Sequence, residues 1–153
     1  MPARDDLDRN ATSRAALITL VRSLSGADLN TPIDGGDWTV KVALAHLAFW
    51  DHRQRAALRQ HIATGAPLGD GTPPALEDSD EVINQALDQL APHLNPTAIA
   101  DLVIEAAEAV DAQLERTDPA LLERLATGPQ PSIIQRWLHR EEHIAQITAE
   151  LRR

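Results

Sequence analysis

Two histidines stand four residues apart near the end of the chain, in the segment His139-Arg-Glu-Glu-His143. Residues at this spacing project from the same side of a helix, so both imidazoles can reach one divalent metal ion. The segment differs from the zincin motif, which has glutamate directly after its first histidine, because Arg140 occupies that position. Two imidazoles do not complete a metal site, and a third ligand must therefore come from another helix.

His46 is the best candidate for the third ligand. On a helix it falls among apolar side chains, namely Val42, Ala43, Phe49, Trp50 and Ala57. A histidine in that setting must be hydrogen-bonded or metal-bound, because an unsatisfied buried polar group costs about 1–3 kcal/mol. Three neutral imidazoles would leave a metal its full double charge and an open position, where the pKa of a water falls to about 7. Such a pocket would supply hydroxide or activate the thiolate of a thiol cofactor.

A second interpretation is that these histidines are solvated or structural. A chain with six histidines contains a pair at this spacing in roughly one random sequence in five. His139 and His143 also lie away from the centre of the apolar stripe of their helix, which is formed by Ile133, Ile134, Trp137, Ile144 and Leu151. They stand instead beside Arg136, Gln146 and Glu150. Periodicity alone leaves both interpretations open. The other histidines have no partner at a useful spacing and are predicted surface residues: His52, His61 and His93.

Other side chains could contribute to a pocket at this site. Trp50 lies one helical turn after the predicted third ligand and could form a wall, although large aromatic residues more often pack in a core, here Trp38, Phe49, Trp50 and Trp137. Glu141 and Glu142 stand between the two histidines. They are either solvated, or they act as a base or as a hydrogen-bond partner of a metal ligand. Arg53 and Arg136 could bind a substrate carboxylate if they face the pocket, and are otherwise surface residues. These patterns assign no catalytic residue.

The composition excludes several functional classes. The 153 residues include no cysteine, so disulfides, thiolate ligands and a cysteine nucleophile are excluded, and a reducing compartment is indicated. A net charge of −9 disfavours binding to nucleic acid. The polar N-terminus does not resemble a signal peptide, and no apolar run is long enough to span a membrane, so we expect a cytoplasmic protein. Phosphate-binding glycine loops and nucleophile-elbow serines are also missing.

The elements that must position these residues are predicted to be helices. The first covers residues 5–24, where apolar side chains recur at spacings of three and four: Leu7, Ala11, Ala15, Ile18, Val21 and Leu24. The others are predicted over residues 39–63, 78–90, 95–116, 118–125 and 132–151. Their start signals are Thr39, the pair Asp78 and Glu81, Asn95 before Pro96, Asp118 before Pro119, and Ser132.

This pattern predicts an all-α chain, folded as one domain over residues 1–153. Four main helices form a four-helix bundle, and a short extra helix precedes the last one. Glycines and prolines predict loops at residues 27–37 and 64–75. The longer crossing at 64–75 permits parallel neighbours, but the pattern does not fix the topology.

Two segments resemble the DinB-like superfamily, which includes the metal-binding N-terminal domain of mycothiol-dependent maleylpyruvate isomerases. Residues 37–51, DWTVKVALAHLAFWD, resemble its second-helix signature, in which a tryptophan, a small hydroxyl residue and a valine precede a helix with a metal-binding histidine, here His46. Residues 139–147, HREEHIAQI, resemble its last-helix histidine pair. The order and separation of the segments also fit, so the resemblance covers nearly the whole chain.

The resemblance implies an up-up-down-down four-helix bundle, often dimeric. It also implies a divalent metal, commonly zinc or nickel, held by His46, His139 and His143. Activities in the superfamily include thiol-dependent transfer, isomerisation and some hydrolysis. The isomerases have a further C-terminal domain, whereas this sequence ends after the last helix, so the maleylpyruvate reaction itself is not expected.

Two functions of different classes are consistent with these observations. The first is a metal-dependent enzyme, either a thiol-dependent S-transferase or a hydrolase, acting on a small electrophilic substrate with a low-molecular-weight thiol as a further cofactor. The alternative is a non-enzymatic bundle that binds a small ligand or a partner and has a degenerate metal site. The apolar stripes leave room for a homodimer in either case.

Overall fold

The structure is a computed structural model that describes residues 1–33, 35, 38–65 and 80–152. These residues form six α-helices: α1 (Pro2–Ser23), α2 (Val40–Thr64), α3 (Asp80–Leu90), α4 (Pro96–Glu115), α5 (Pro119–Thr127) and α6 (Arg136–Leu151). Short 3-10 turns occur at Asp28–Asn30, Ala91–His93 and Pro131–Ile133. Two antiparallel strands of two residues each, β1 (Pro32–Ile33) and β2 (Trp38–Thr39), precede α2. The predicted all-α class is confirmed.

Three of the predicted helix starts are confirmed by the caps that the structure shows. The side chains of Thr39, Asn95 and Asp118 each accept hydrogen bonds from backbone N–H groups in the first turn of α2, α4 and α5. These bonds satisfy N–H groups that have no partner inside the helix. The predicted capping residue Asp78 and most of the predicted loop at 64–75 lie outside the described residues.

The predicted start of the last helix at Ser132 is wrong. A 3-10 turn occupies Pro131–Ile133, and α6 begins only at Arg136. Asn10 of α1 fixes this start, because its Oδ1 accepts a hydrogen bond of 2.8 Å from the Trp137 N–H and its Nδ2 donates one of 2.7 Å to the Ile134 carbonyl. Ile133 and Ile134 are buried, so the chain turns inward before the helix begins.

The helices enclose two apolar clusters with a polar layer between them. α1 packs against α4, α5 and α6, while α2 packs against α3, α4 and α6. One cluster contains Leu17, Ala43 and Val103, and the other contains Ala3, Leu58 and Leu114. Buried polar residues lie between the two clusters along α1, α2, α4 and α6: Asp6, Asn10, Ser13, Asp51, Gln54, Asp111, Arg136 and Arg140. No helix in the described part of the chain is long and apolar enough to cross a membrane.

Candidate metal centre

The three predicted ligands meet at one point. His46 comes from α2, and His139 and His143 come from successive turns of α6. The Nε2 atom of His139 lies 2.9 Å from Nε2 of His46 and 3.2 Å from Nε2 of His143. One potential ligand atom from each residue lies within 4.8 Å of the other two. Nitrogens bound at 2.0–2.1 Å in a tetrahedral site are separated by about 3.3 Å, so the arrangement could accept an ion with small shifts of the rings.

None of the three rings is a solvated surface group. His46 and His143 are buried and His139 is half-buried. Burial, followed by the charges of His143 and Arg136, lowers the pKa of His46 from 6.5 to about 4. Burial and the same neighbouring charges also lower the pKa of His139. Both rings are therefore neutral near pH 7, which is the form of histidine that binds metals.

Neighbouring side chains orient two of the rings. The Nδ1 atom of His143 lies 2.8 Å from Gln146 Oε1, and this acceptor requires the proton on Nδ1, which leaves the Nε2 lone pair free. The ring of Trp38 stacks on that of His143 with centroids 6.0 Å apart, and lies 4.9 Å from the centroid of His46. Trp50 lies on another side of His46, with centroids 6.2 Å apart. The indole rings therefore shield the rings of the histidines from water.

A network of buried ion pairs lies next to the histidines. Asp51 accepts a hydrogen bond of 2.8 Å from Arg136 Nε, and bonds of 3.1 and 3.0 Å from Arg140 Nε and Nη2. Arg140 also binds both oxygens of Asp111, at 2.9 and 3.0 Å. A third bond to Asp111, of 2.9 Å, comes from Arg14 of α1. The network thus connects α1, α2, α4 and α6 beside the three histidines.

Sequence reasoning did not identify this network. A signal was present in α4, where Asp111 stands in a helical stripe with Ala107, Val110 and Leu114. A charged residue in such a stripe must be paired when the helix is packed. Asp51 gave a similar signal, because it follows Trp50 within a long buried stretch of α2.

The structure does not favour the predicted carboxylate-binding roles of Arg136 and Arg53. Arg136 lines the cleft, but it is buried, donates from Nη1 to the Ser132 carbonyl at 2.9 Å, and places Nη2 3.4 Å from Nδ1 of His139. Its Nε is bound to Asp51. Arg53 is exposed and lies over Trp50, 5.0 Å from the ring centroid. Arg136 therefore positions groups of the protein, and Arg53 is a surface residue.

A cleft of about 720 Å³ opens directly onto His46 and His139. α2 contributes His46, Trp50 and Gln54 to its lining, α3 contributes Asn84, and α6 contributes Glu142. Glu141 is exposed and is not among the described residues that line the cleft. The other histidines are not part of this cluster: His52 and His93 are exposed as predicted, and His61 is half-buried near the end of α2.

A family model matches most of the chain. The family model described as the mycothiol maleylpyruvate isomerase N-terminal domain matches residues 11–143. This range contains all three histidines, the whole of α2 and the first half of α6. Searches of the curated proteins and of the solved structures found no match.

Proposed function

Because the chain belongs to the mycothiol maleylpyruvate isomerase N-terminal domain family, within the DinB-like superfamily, we propose that it is a divalent-metal protein whose ion is held by His46, His139 and His143. The observation that carries this proposal is the convergence of three Nε2 atoms from two helices, with separations of 2.9 and 3.2 Å along the two shortest contacts. A neutral imidazole has one ring nitrogen with a free lone pair, and three Nε2 atoms this close together can bind one cation between them.

The chemistry of the donor set fits zinc or nickel. Imidazole nitrogen suits both metals, and the chain has no cysteine that would favour a softer ion. Three neutral ligands do not reduce the charge of the ion. When bound, such an ion supplies Lewis-acid chemistry to a thiol or a water molecule. The residue that orients a ligand is also in place, since His143 Nδ1 is bound to Gln146 Oε1 at 2.8 Å.

We propose that the reaction is thiol-dependent S-transfer or hydrolysis at a small electrophilic substrate. The cleft next to His46 and His139 has room for a small molecule. Trp38 and Trp50 exclude water from the rings of the ligands, while Asp51 holds Arg136 against His139. These side chains keep the site rigid and dry on the protein side and leave it accessible from the cleft.

The arrangement of helices that we propose is the up-up-down-down four-helix bundle, built from α1, α2, α4 and α6. The support comes from the pattern of neighbours: α1 and α2 each pack against both α4 and α6. This pattern is expected for a bundle in which α1 lies diagonally opposite α2 and a crossing, rather than a tight turn, connects these two parallel helices. In this arrangement α2 and α6 are adjacent, as the metal site requires.

Metal analysis of the purified protein tests the proposal. We expect about one equivalent of zinc or nickel per chain, and full reloading after chelation. His139→Ala should weaken metal binding by more than about tenfold, because one of three protein ligands is lost. His93→Ala is the matched control, since His93 is exposed on a 3-10 turn and should leave binding unchanged.

Two results would contradict the proposal. One is wild-type protein that contains no metal and takes up none on titration. The other is equal metal binding by the wild type and the triple alanine variant of the three histidines. Either result would favour the alternative, a helical bundle that binds a small ligand without metal.

A further inference from the structure

The three histidines differ in the groups that face their Nδ1 atoms. Nδ1 of His143 lies 2.8 Å from an acceptor, Gln146 Oε1. Nδ1 of His46 is buried and has no hydrogen-bond partner in the described part of the chain. Nδ1 of His139 lies 3.4 Å from a donor, Nη2 of Arg136. The three rings are therefore not equivalent as metal ligands.

The guanidinium group of Arg136 determines which nitrogen of His139 carries the proton. Arginine has N–H donors and no acceptor, so Nδ1 of His139 must accept this hydrogen bond and cannot carry a proton. The proton of the neutral ring then lies on Nε2. This atom lies 2.9 Å from Nε2 of His46 and 3.2 Å from Nε2 of His143. In the metal-free protein, His139 Nε2 therefore donates a hydrogen bond to His46.

The protein holds Arg136 at this position with two further hydrogen bonds. Its Nε donates to Asp51 at 2.8 Å, and its Nη1 donates to the Ser132 carbonyl at 2.9 Å. The residue is buried, so the guanidinium group has little freedom to turn away from the ring. Neither of these bonds uses Nη2, and the contact with His139 can therefore be lost while the other two remain.

His139 is the one ligand of the three whose proton is on the nitrogen that faces the site. Gln146 places the proton of His143 on Nδ1, and His46 carries its proton on Nδ1 because its Nε2 accepts from His139. For His139 Nε2 to bind an ion, this nitrogen must lose its proton to solvent while Nδ1 gains one, so the ring stays neutral. The new Nδ1–H would face an N–H group of Arg136, and the hydrogen bond between them would be lost.

We propose that Arg136 is a positioning residue that keeps the metal-free site closed by holding the proton of His139 on Nε2, and that it thereby weakens metal binding. The inference rests on the proposed metal function and concerns how tightly the ion is held. An entering ion must break two hydrogen bonds, from Arg136 to His139 and from His139 to His46. The site therefore binds its ion less tightly than three histidines with free Nε2 lone pairs would.

Long-range ¹H–¹⁵N correlation spectra of the metal-free wild type, at about pH 7, test the arrangement directly. A protonated ring nitrogen and a bare one have well-separated ¹⁵N shifts, and His139→Ala identifies the signals of His139 by their loss. We expect the proton of His139 on Nε2, and those of His46 and His143 on Nδ1. Addition of zinc should move the proton of His139 to Nδ1. A metal-free His139 with its proton on Nδ1 would overturn the proposal.

The second measurement is zinc affinity, by competition with a chromophoric chelator. Arg136→Met removes the donor, and it should bind zinc about three- to tenfold more tightly than the wild type, as expected for the loss of a competing hydrogen bond. The proton of His139 should lie on Nδ1 in this variant. Arg53→Met is the matched control, because it also removes a positive charge but Arg53 is exposed and makes no contact with His139. It should leave the zinc affinity unchanged.

The outcomes separate this proposal from the metal function. Unchanged or weaker zinc binding by folded Arg136→Met would overturn the proposal, as would tighter binding with the proton of His139 still on Nε2, since charge alone would then explain the gain. If Arg136→Met does not fold, the wild-type spectra decide. Failure of the wild type to take up zinc would overturn the metal function and the role of Arg136 with it.

Discussion

Asp51→Asn should destabilise the protein more than the replacement of any exposed aspartate by asparagine. Asp51 is fully buried and accepts three hydrogen bonds, of 2.8, 3.0 and 3.1 Å, from the guanidinium groups of Arg136 and Arg140. The substitution keeps the shape of the side chain but removes its charge. Two buried guanidinium groups then face one remaining carboxylate, Asp111.

The expected magnitude follows from these contacts. A hydrogen bond to a charged group contributes about 1.5–3 kcal/mol, but the three bonds are not additive and asparagine keeps one acceptor oxygen. Breaking one partner of a buried ion pair costs about 3–5 kcal/mol, and we expect Asp51→Asn to fall in this range. Domains of this size are stable by about 5–15 kcal/mol, so the variant should still fold at low temperature.

The assay is equilibrium unfolding in urea, followed by circular dichroism, for the wild type, Asp51→Asn and Asp8→Asn. Asp8 is the matched control, since it pairs with Arg4 at 2.9 Å while both side chains are largely exposed. Removing that pair should cost less than about 1 kcal/mol. If Asp51→Asn also lowers the free energy of unfolding by less than about 1 kcal/mol, and the dependence of that free energy on urea concentration is unchanged, the buried network does not stabilise the fold as argued.

Three other predictions concern the metal-free protein, the start of α6 and the mouth of the cleft. The pKa of His46 is about 4 in the folded chain and 6.5 when unfolded, so the unfolded chain binds more protons between these values. The contribution of His46 alone should lower the unfolding free energy by about 1.4 kcal/mol per pH unit as the pH falls through this window. Urea unfolding at about pH 7 and about pH 5 measures the decrease in unfolding free energy, which should be smaller in His46→Gln than in the wild type. An equal decrease in the wild type and the variant would contradict the lowered pKa of His46. Asn10→Ala should lower the free energy of unfolding by about 1–3 kcal/mol in the same assay, because the Trp137 N–H and the Ile134 carbonyl lose their hydrogen-bond partner. A loss no larger than that of Thr12→Ala, an exposed control, would refute the capping role of Asn10. In metal-loaded protein, a thiol with a terminal phosphate should bind more weakly than the same thiol without it, because the exposed carboxylates Asp80 and Glu142 line the cleft, and Glu142→Gln should reduce this difference; a phosphate that strengthens binding would refute this charge argument.

Local signals predicted those parts of the fold that local contacts determine. Thr39, Asn95 and Asp118 cap helices as the sequence predicts, because each cap bonds within its own first turn. Ser132 failed as a cap because the start of α6 is set by Asn10, which is more than 120 residues away in the sequence. A prediction made from neighbouring residues does not include a hydrogen bond from another helix.

The spacing of apolar residues also predicted the wrong side of α6 as the buried one. The apolar stripe that the sequence predicts leaves His143 near the surface, whereas the buried residues of α6 are Arg136, Trp137, Arg140, His143 and Ile147. Counting apolar residues treats every polar residue as exposed, and it fails where a polar layer crosses the core. The histidine pair was therefore predicted by its spacing and by family resemblance, while the paired carboxylates that bury its neighbouring arginines were missed.

The charges of the polar layer and of the cleft act together on a ligand that approaches the histidines. Three guanidinium groups, Arg14, Arg136 and Arg140, pair with the carboxylates Asp51 and Asp111. The third carboxylate of the layer, Asp6, is bound by Trp137 and Gln135, so three positive and three negative groups balance one another. The layer therefore offers no surplus positive charge that would attract an anion, while the exposed carboxylates Asp80 and Glu142 in the cleft lining repel one. The combination favours a ligand that enters the cleft uncharged, such as a neutral thiol, over a carboxylate.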